Sequence, residues 1–185
     1  MHEAPSASLL AACAALALLG FWALGARNRL VKLRNRIAAA WAQVHDSGLQ
    51  RGQALVPLVA ALRLPFGAEQ GALDSVLTAH TQAQQTAMRM TAAPVSAASA
   101  QAWVAGEAAL AAAASRMLAL LDQQAALRTE EPVASLLAAL NAAQARLPFA
   151  RQLFNQAAAP YNQALLLFPT RLLVPMFRYA PAGVL

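Results

Sequence analysis

The chain is short of cysteine, of glycine and of charge. Its single cysteine, Cys13, excludes a disulfide framework within one chain and leaves the redox compartment unread. Glycine numbers only 8 in 185 residues, and few stretches alternate apolar with polar residues. That shortage argues against sheets and for an all-α chain. Charged residues make up 12% of the chain, against about 25% in an average soluble protein. Acids are the scarcer sign, with 8 Asp and Glu against 14 Lys and Arg. Only Glu130 and Glu131 adjoin, just before Pro132, where they suit a helix start better than acid–base chemistry. There is no Gly-rich phosphate loop and no nucleophile elbow. His2, His45 and His80 are far apart in the chain, and none has a second histidine or a carboxylate at ligand spacing. The expectation is a protein with no catalytic residue, no metal site and no cofactor, and not an enzyme.

What is present is apolar. Hydrophobic residues reach 59%, much of it alanine, which favours helix and close helix packing. After a short polar leader, residues 1–7, the stretch Ser8–Ala26 carries no charge and has about the 20 residues that span a bilayer as a helix. Phe21 and Trp22 lie near its C-terminal end, where aromatic rings favour the membrane interface. A cleaved signal peptide would carry its basic residues before the apolar run, whereas here they follow it. Leu10-Ala11-Ala12-Cys13 is similar to a lipoprotein box, but most of the apolar run comes after the cysteine. A retained transmembrane helix over residues 8–26 is the preferred reading.

Positive charge then gathers. From Arg27 to Arg63 there are seven basic residues and one acid, Asp46. Such a cluster suits nucleic acid or an anionic bilayer, and its position against the apolar run selects the bilayer. Arg27, Arg29 and Lys32 are the expected headgroup contacts. The positive-inside rule places the N-terminus outside and the rest of the chain in the cytoplasm.

Four long helices are expected beyond Arg27. The first runs to Leu62, with an apolar stripe of Leu30, Leu33, Ile37, Ala40 and Val44 that resumes at Leu55, Val56, Leu58, Val59 and Leu62. Pro57 should bend it. The second covers Glu69–Thr91, with a stripe of Leu73, Val76, Leu77, Ala83, Ala87 and Met88. The third covers Ala100–Arg128, with Leu110, Ala114, Met117, Leu118, Leu121 and Ala125, and Ser96 or Ser99 as its cap.

The fourth runs from about Pro132 to Phe168. Leu140, Leu147, Phe154, Tyr161 and Phe168 recur every seven residues, and Ala143, Ala150, Ala157 and Ala164 each follow three later. Pro148 and Pro160 should kink it. Asn155 and Asn162 also stand seven apart. With Arg34, Asn35 and Arg151 they are candidates for a polar layer that fixes the register of the first and fourth helices. The fold expected is all-α: an N-terminal transmembrane helix continuing into an antiparallel four-helix bundle over residues 27–168. The apolar tail, residues 169–185, holds too many prolines for a continuous membrane helix. It is placed beside the bilayer or against the bundle end.

These residues also carry a likeness. Asn28-Arg29-Leu30-Val31-x-Leu33-Arg34-Asn35 through Trp41 resembles the opening signature of the LemA family. Leu55-Val56-Pro57 is similar to that family's L-I-P. Ala150-Arg151-x-x-Phe154-Asn155, then Tyr161-Asn162, then Phe168-Pro169, resemble its A-R-x-x-Y-N, Y-N and F-P. Departures at Val44-His45-Asp46, Leu58, His80 and Gln144 mark a divergent member. The resemblance implies one N-terminal membrane helix and a bundle of long helices, in a bacterial cytoplasmic membrane. It implies Arg34, Asn35, Trp41, Pro57, Arg151, Asn155, Tyr161, Asn162, Phe168 and Pro169 as motif residues, and it brings no enzymatic activity. The function expected is a membrane-anchored scaffold whose apolar or Ala-rich faces receive partner helices or copies of itself. The alternative is a protein that organises or senses an anionic lipid surface.

Overall fold

A computed structural model describes residues 7–168 and 170–185. Residues 1–6 of the expected leader, His2 among them, and Pro169 lie outside the described residues. Ala7 already belongs to the first helix.

That helix, α1, is continuous from Ala7 to Leu62. Its 56 residues make a rod of about 84 Å. Neither glycine nor proline interrupts it: it runs through Gly48, Gly52 and Pro57. At Gly52 the missing side chain serves packing, since a Cβ there would stand 2.8 Å from Cε1 of His80. The most apolar window of α1 has no buried residue, and this N-terminal stretch is long and apolar enough to cross a membrane, a property signal sequences share.

After a single 3₁₀ turn at Gly67–Glu69 comes α2, Gln70–Ala92. Helix α3 spans Ala97–Asp122, and the Ser96 hydroxyl caps it by accepting the N–H of Ser99 at 3.2 Å. A short α4, Ala125–Thr129, leads to α5, Val133–Leu166. A second 3₁₀ turn at Thr170–Leu172, then α6, Leu173–Phe177, and an extended tail finish the chain. Among the described residues there is no strand. Helix α1 packs along α5, α2 along α3, and α1 against α2. The α3–α5 side is more open, and a groove of about 340 Å³ lined by Val104, Ala111, Leu118 and Leu147 runs there.

The packing forms two apolar clusters in series along α1. The first gathers Leu30, Leu33, Ile37, Trp41 and Val44 with Met90, Trp103, Phe154 and Tyr161. The second gathers Leu55, Leu58, Val59 and Leu62 with Leu73, Val76, Leu110, Met117, Leu121 and Leu140. The expected stripe of α1 is buried except for Val56, which faces solvent.

Four expectations need correction. The third helix does not reach Arg128: it stops at Asp122, and Ala125 is exposed. The corner lets Leu127 turn back onto the second cluster, and an Arg128–Asp122 ion pair spans it. On α2 it is Met90, not Met88, that is buried, because fourteen residues separate Val76 from Met90 and carry it nearly back to the same face. Leu147 and Ala157 on α5 are only half-buried; Leu147 faces the open α3–α5 groove, where there is no neighbour to cover it. Phe168 is the largest departure. It is 81% exposed, beyond the end of α5, and its ring stacks on Trp22 at 6.5 Å instead of entering the core.

Candidate functional site

Three helices each place one polar residue on a face that is otherwise apolar. On α1 the stripe reads Val44, Gly48, Arg51, Leu55; on α2 it reads Val76, His80, Ala83; on α3 it reads Trp103, Glu107, Leu110. Arg51, His80 and Glu107 therefore meet where the first apolar cluster gives way to the second. Arg51 donates to Glu107 through both terminal nitrogens, Nη1 to Oε2 at 2.7 Å and Nη2 to Oε1 at 2.8 Å. The side chains are 11% and 10% exposed, so this is a planar, nearly dry, two-bond ion pair.

His80 is buried beside the pair. Burial first, and the Arg51 charge second, hold its imidazole below the usual 6.5, while Glu107 pulls the other way. A cavity of about 30 Å³ opens among these groups, and His45 also lines it. His45 and His80, far apart in sequence, thus border one space, because α1 and α2 pack side by side. Among the described residues, the Nδ1 of His80 and the Nε of Arg51 have no hydrogen-bond partner. The cavity is large enough for a water to satisfy them and too small for an organic substrate. What the cluster does physically is penalise slippage. Sliding α3 relative to α1 would pull a charge into an apolar layer, and sliding α2 would strand the buried polar ring of His80 in one.

Trp41 is the hub of the first cluster. Its Nε1–H donates to the Thr91 hydroxyl at 2.9 Å, and its ring meets Trp103 and Phe154 edge-on at 5.5 and 6.3 Å.

The two asparagines of α5 do something else. Asn155 accepts the N–H of Leu185 and donates to its carbonyl, both at 2.8 Å. Asn162 does the same to Ala182, at 2.8 and 3.0 Å. Tyr161 donates its hydroxyl to the Ala180 carbonyl at 3.1 Å, and burial raises its phenol above the usual 10. The lengths match. Seven helical residues advance about 10.5 Å, and three extended residues span about 10 Å. The tail therefore lies along α5 in register with the asparagine repeat. The expected polar layer between the first and fourth helices is corrected accordingly. Asn155 and Asn162 hold the tail, and the inter-helix layer is Arg51, His80 and Glu107. The tail competes successfully because an amide side chain offers both a donor and an acceptor, the complement of the N–H and C=O of one extended residue.

The remaining expected residues are dispersed. Arg34 is exposed, with its guanidinium over the Tyr179 ring at 5.9 Å, so it braces the tail from α1. Arg151 stands over Trp103 at 5.5 Å. Asn35 is exposed, and Pro57 is inside α1. Arg27, Arg29 and Lys32 all face outward, on the turns of α1 that follow its apolar stretch. No group of three or more metal-binding side chains is present among the described residues.

The arrangement of long helices with an asparagine-held tail can be set against known families. The model of the LemA family matches residues 40–185. The chain belongs to the LemA family. The matched stretch of this LemA chain contains Trp41, Pro57, Arg151, Asn155, Tyr161, Asn162, Phe168 and Pro169, the whole polar layer and the tail. Arg34, Asn35 and the apolar part of α1 precede it. No curated protein matches the chain.

Proposed function

We propose that this LemA protein is a membrane-anchored helical scaffold, held at the bilayer by two elements instead of one. The observation that carries the reading is the contact between Phe168 and Trp22. It brings the apolar end of α5 to the level of the exposed apolar stretch of α1. Leu166, Leu167, Phe168, Leu172, Met176 and Phe177 are all exposed there, within twelve residues. Exposed apolar groups in such number mark a surface that meets lipid or protein. Arg171 lies among them and Arg178 directly after, and Arg27, Arg29 and Lys32 face outward close by on α1, as a headgroup layer requires. In this reading α1 crosses a bacterial cytoplasmic membrane with its N-terminus outside. Residues 166–177 lie in the inner interface, and the bundle stands in the cytoplasm as a platform for membrane proteins or further copies. No reaction and no nucleic-acid partner belongs to it.

The test uses the full chain with Cys13→Ser and one new cysteine, at Phe168 or at Leu64. Leu64 is 94% exposed at the far end of α1. An environment-sensitive dye at position 168 should be quenched by brominated lipid in reconstituted vesicles, and one at 64 should not. Equal quenching at both, or none at 168, refutes the second anchor. A second reading, a lipid-sensing surface protein, draws on the same outward arginines. It requires that the chain without residues 1–26 still bind anionic vesicles in a salt-sensitive way.

A further inference from the structure

We infer that the face of α5 bearing Asn155 and Asn162 is a groove for an extended peptide, and that a second copy of this chain can fill it with its own residues 180–185. Copies of the chain can join in this way without the bilayer.

The groove reads backbone, not side chains. Each asparagine takes both polar groups of one peptide residue, and the two sites are set three residues apart. Any strand in that register meets the hydrogen-bond requirement. Specificity comes from the opposite wall. A Cβ on Gly183 would stand 2.5 Å from the Ala100 Cβ and 3.0 Å from the Ala97 Cα. Only glycine passes there. The residue before it, Ala182, is buried, and Val184 points outward. The ligand is thus an extended segment reading small–glycine–any–apolar, with backbone groups free at the first and last positions. Pro-Ala-Gly-Val-Leu, residues 181–185, is such a segment.

The fixed points of the seated tail are five hydrogen bonds with α5, the burial of Ala182, the Arg34 guanidinium over Tyr179, and the partial packing of Tyr179 and Leu185 on the first cluster. Of the described side chains between 167 and 179, which lead to it, most are exposed. An extended segment that leaves its own groove for a neighbour's remakes the same contacts there, so exchange costs little beyond association. The groove also continues past Leu185 as a cleft of about 720 Å³ along Gln144, Pro148, Arg151 and Gln152, which leaves an entering strand unobstructed at that end.

The experiment mixes two full-length variants in detergent. Gly183→Val has an intact groove and a tail that cannot seat. The double variant Asn155→Ala/Asn162→Ala has a free tail and no clamp. Each alone should be monomeric by light scattering, and the mixture should form a one-to-one complex. In parallel, a fluorescent peptide of sequence Tyr-Ala-Pro-Ala-Gly-Val-Leu should bind Gly183→Val at least ten-fold tighter than it binds the unmodified chain. It should bind ten-fold more weakly once the asparagines are also removed. A helical circular-dichroism signal equal to that of the parent shows that the variants fold. A monomeric mixture overturns the exchange, and peptide binding indifferent to the asparagines overturns the groove.

Discussion

Replacing Glu107 by leucine strands Arg51. The guanidinium would then sit at about one-tenth exposure with no counter-charge, and the exposure is too low for solvent to screen it. Removing one partner of a buried pair costs about 3–5 kcal/mol, most of it the desolvation of the survivor. For a chain of this size each kcal/mol moves the melting point by roughly 2–4 °C, so Glu107→Leu should melt about 6–20 °C lower. The companion variant is Arg51→Met/Glu107→Leu. It removes both charges, fills the site with apolar volume and joins the two clusters that the pair now separates. It should recover most of the loss, to within about 1 kcal/mol of the parent. Thermal melts followed by far-UV circular dichroism on the two singles and the double complete the cycle. Strictly additive losses would mean that the two groups do not form a coupled unit, and the description of the layer would fail. A loss below about 1 kcal/mol for Glu107→Leu would say that the pair is wetter than its geometry shows.

Other outcomes follow from the same packing. Gly52→Ala should destabilise by about 1–3 kcal/mol, because its methyl meets the His80 ring at 2.8 Å. In a His80→Ala background the same change should be neutral or stabilising, by up to about 1 kcal/mol of helix propensity. The folded His80 has a lowered pKa, so folded and unfolded chains are both neutral there above pH 6.5. Below that the unfolded chain takes the proton first, and stability should fall as the pH drops toward the folded value. Melting points between pH 8 and pH 5 check this, and His80→Gln should flatten the dependence. Thr91→Val leaves the Trp41 N–H without its acceptor and should cost about 1–3 kcal/mol by denaturant titration.

Much of this was legible in the chain, though unevenly. The all-helical content and the buried face of α1 followed from spacing, because an apolar residue every three or four positions has one geometric solution. Ser96 as a cap was readable for the same local reason. The Arg51–Glu107 pair was readable in principle. Each residue interrupts an apolar stripe at a position where the spacing calls for an apolar side chain. Glu107 is also the only acid between Asp74 and Asp122. The partner of Asn155 and Asn162 was not readable. A repeat of seven on a helix shows that two side chains share a face but not what lies on that face. A six-residue extended segment gives no period of its own. Phe168 misled because it continued the repeat by one step past the point where α5 stops, and a pattern read along a helix carries no mark of its end.

One consequence of α1 concerns motion. From Arg27 to Leu62 it is an unbroken arm of about 54 Å, rooted in the stretch suited to a bilayer. The polar layer and both apolar clusters are mounted on it. A tilt of about 10° at its root would carry Leu62 sideways by about 9 Å, with the mounted helices following. With α1 crossing the bilayer as proposed, thinning or thickening of the lipid, which changes the tilt of a spanning helix, would be converted into displacement at the far tip. In the proposed membrane-anchored arrangement, the architecture has the mechanics of a lever with its fulcrum in the headgroups.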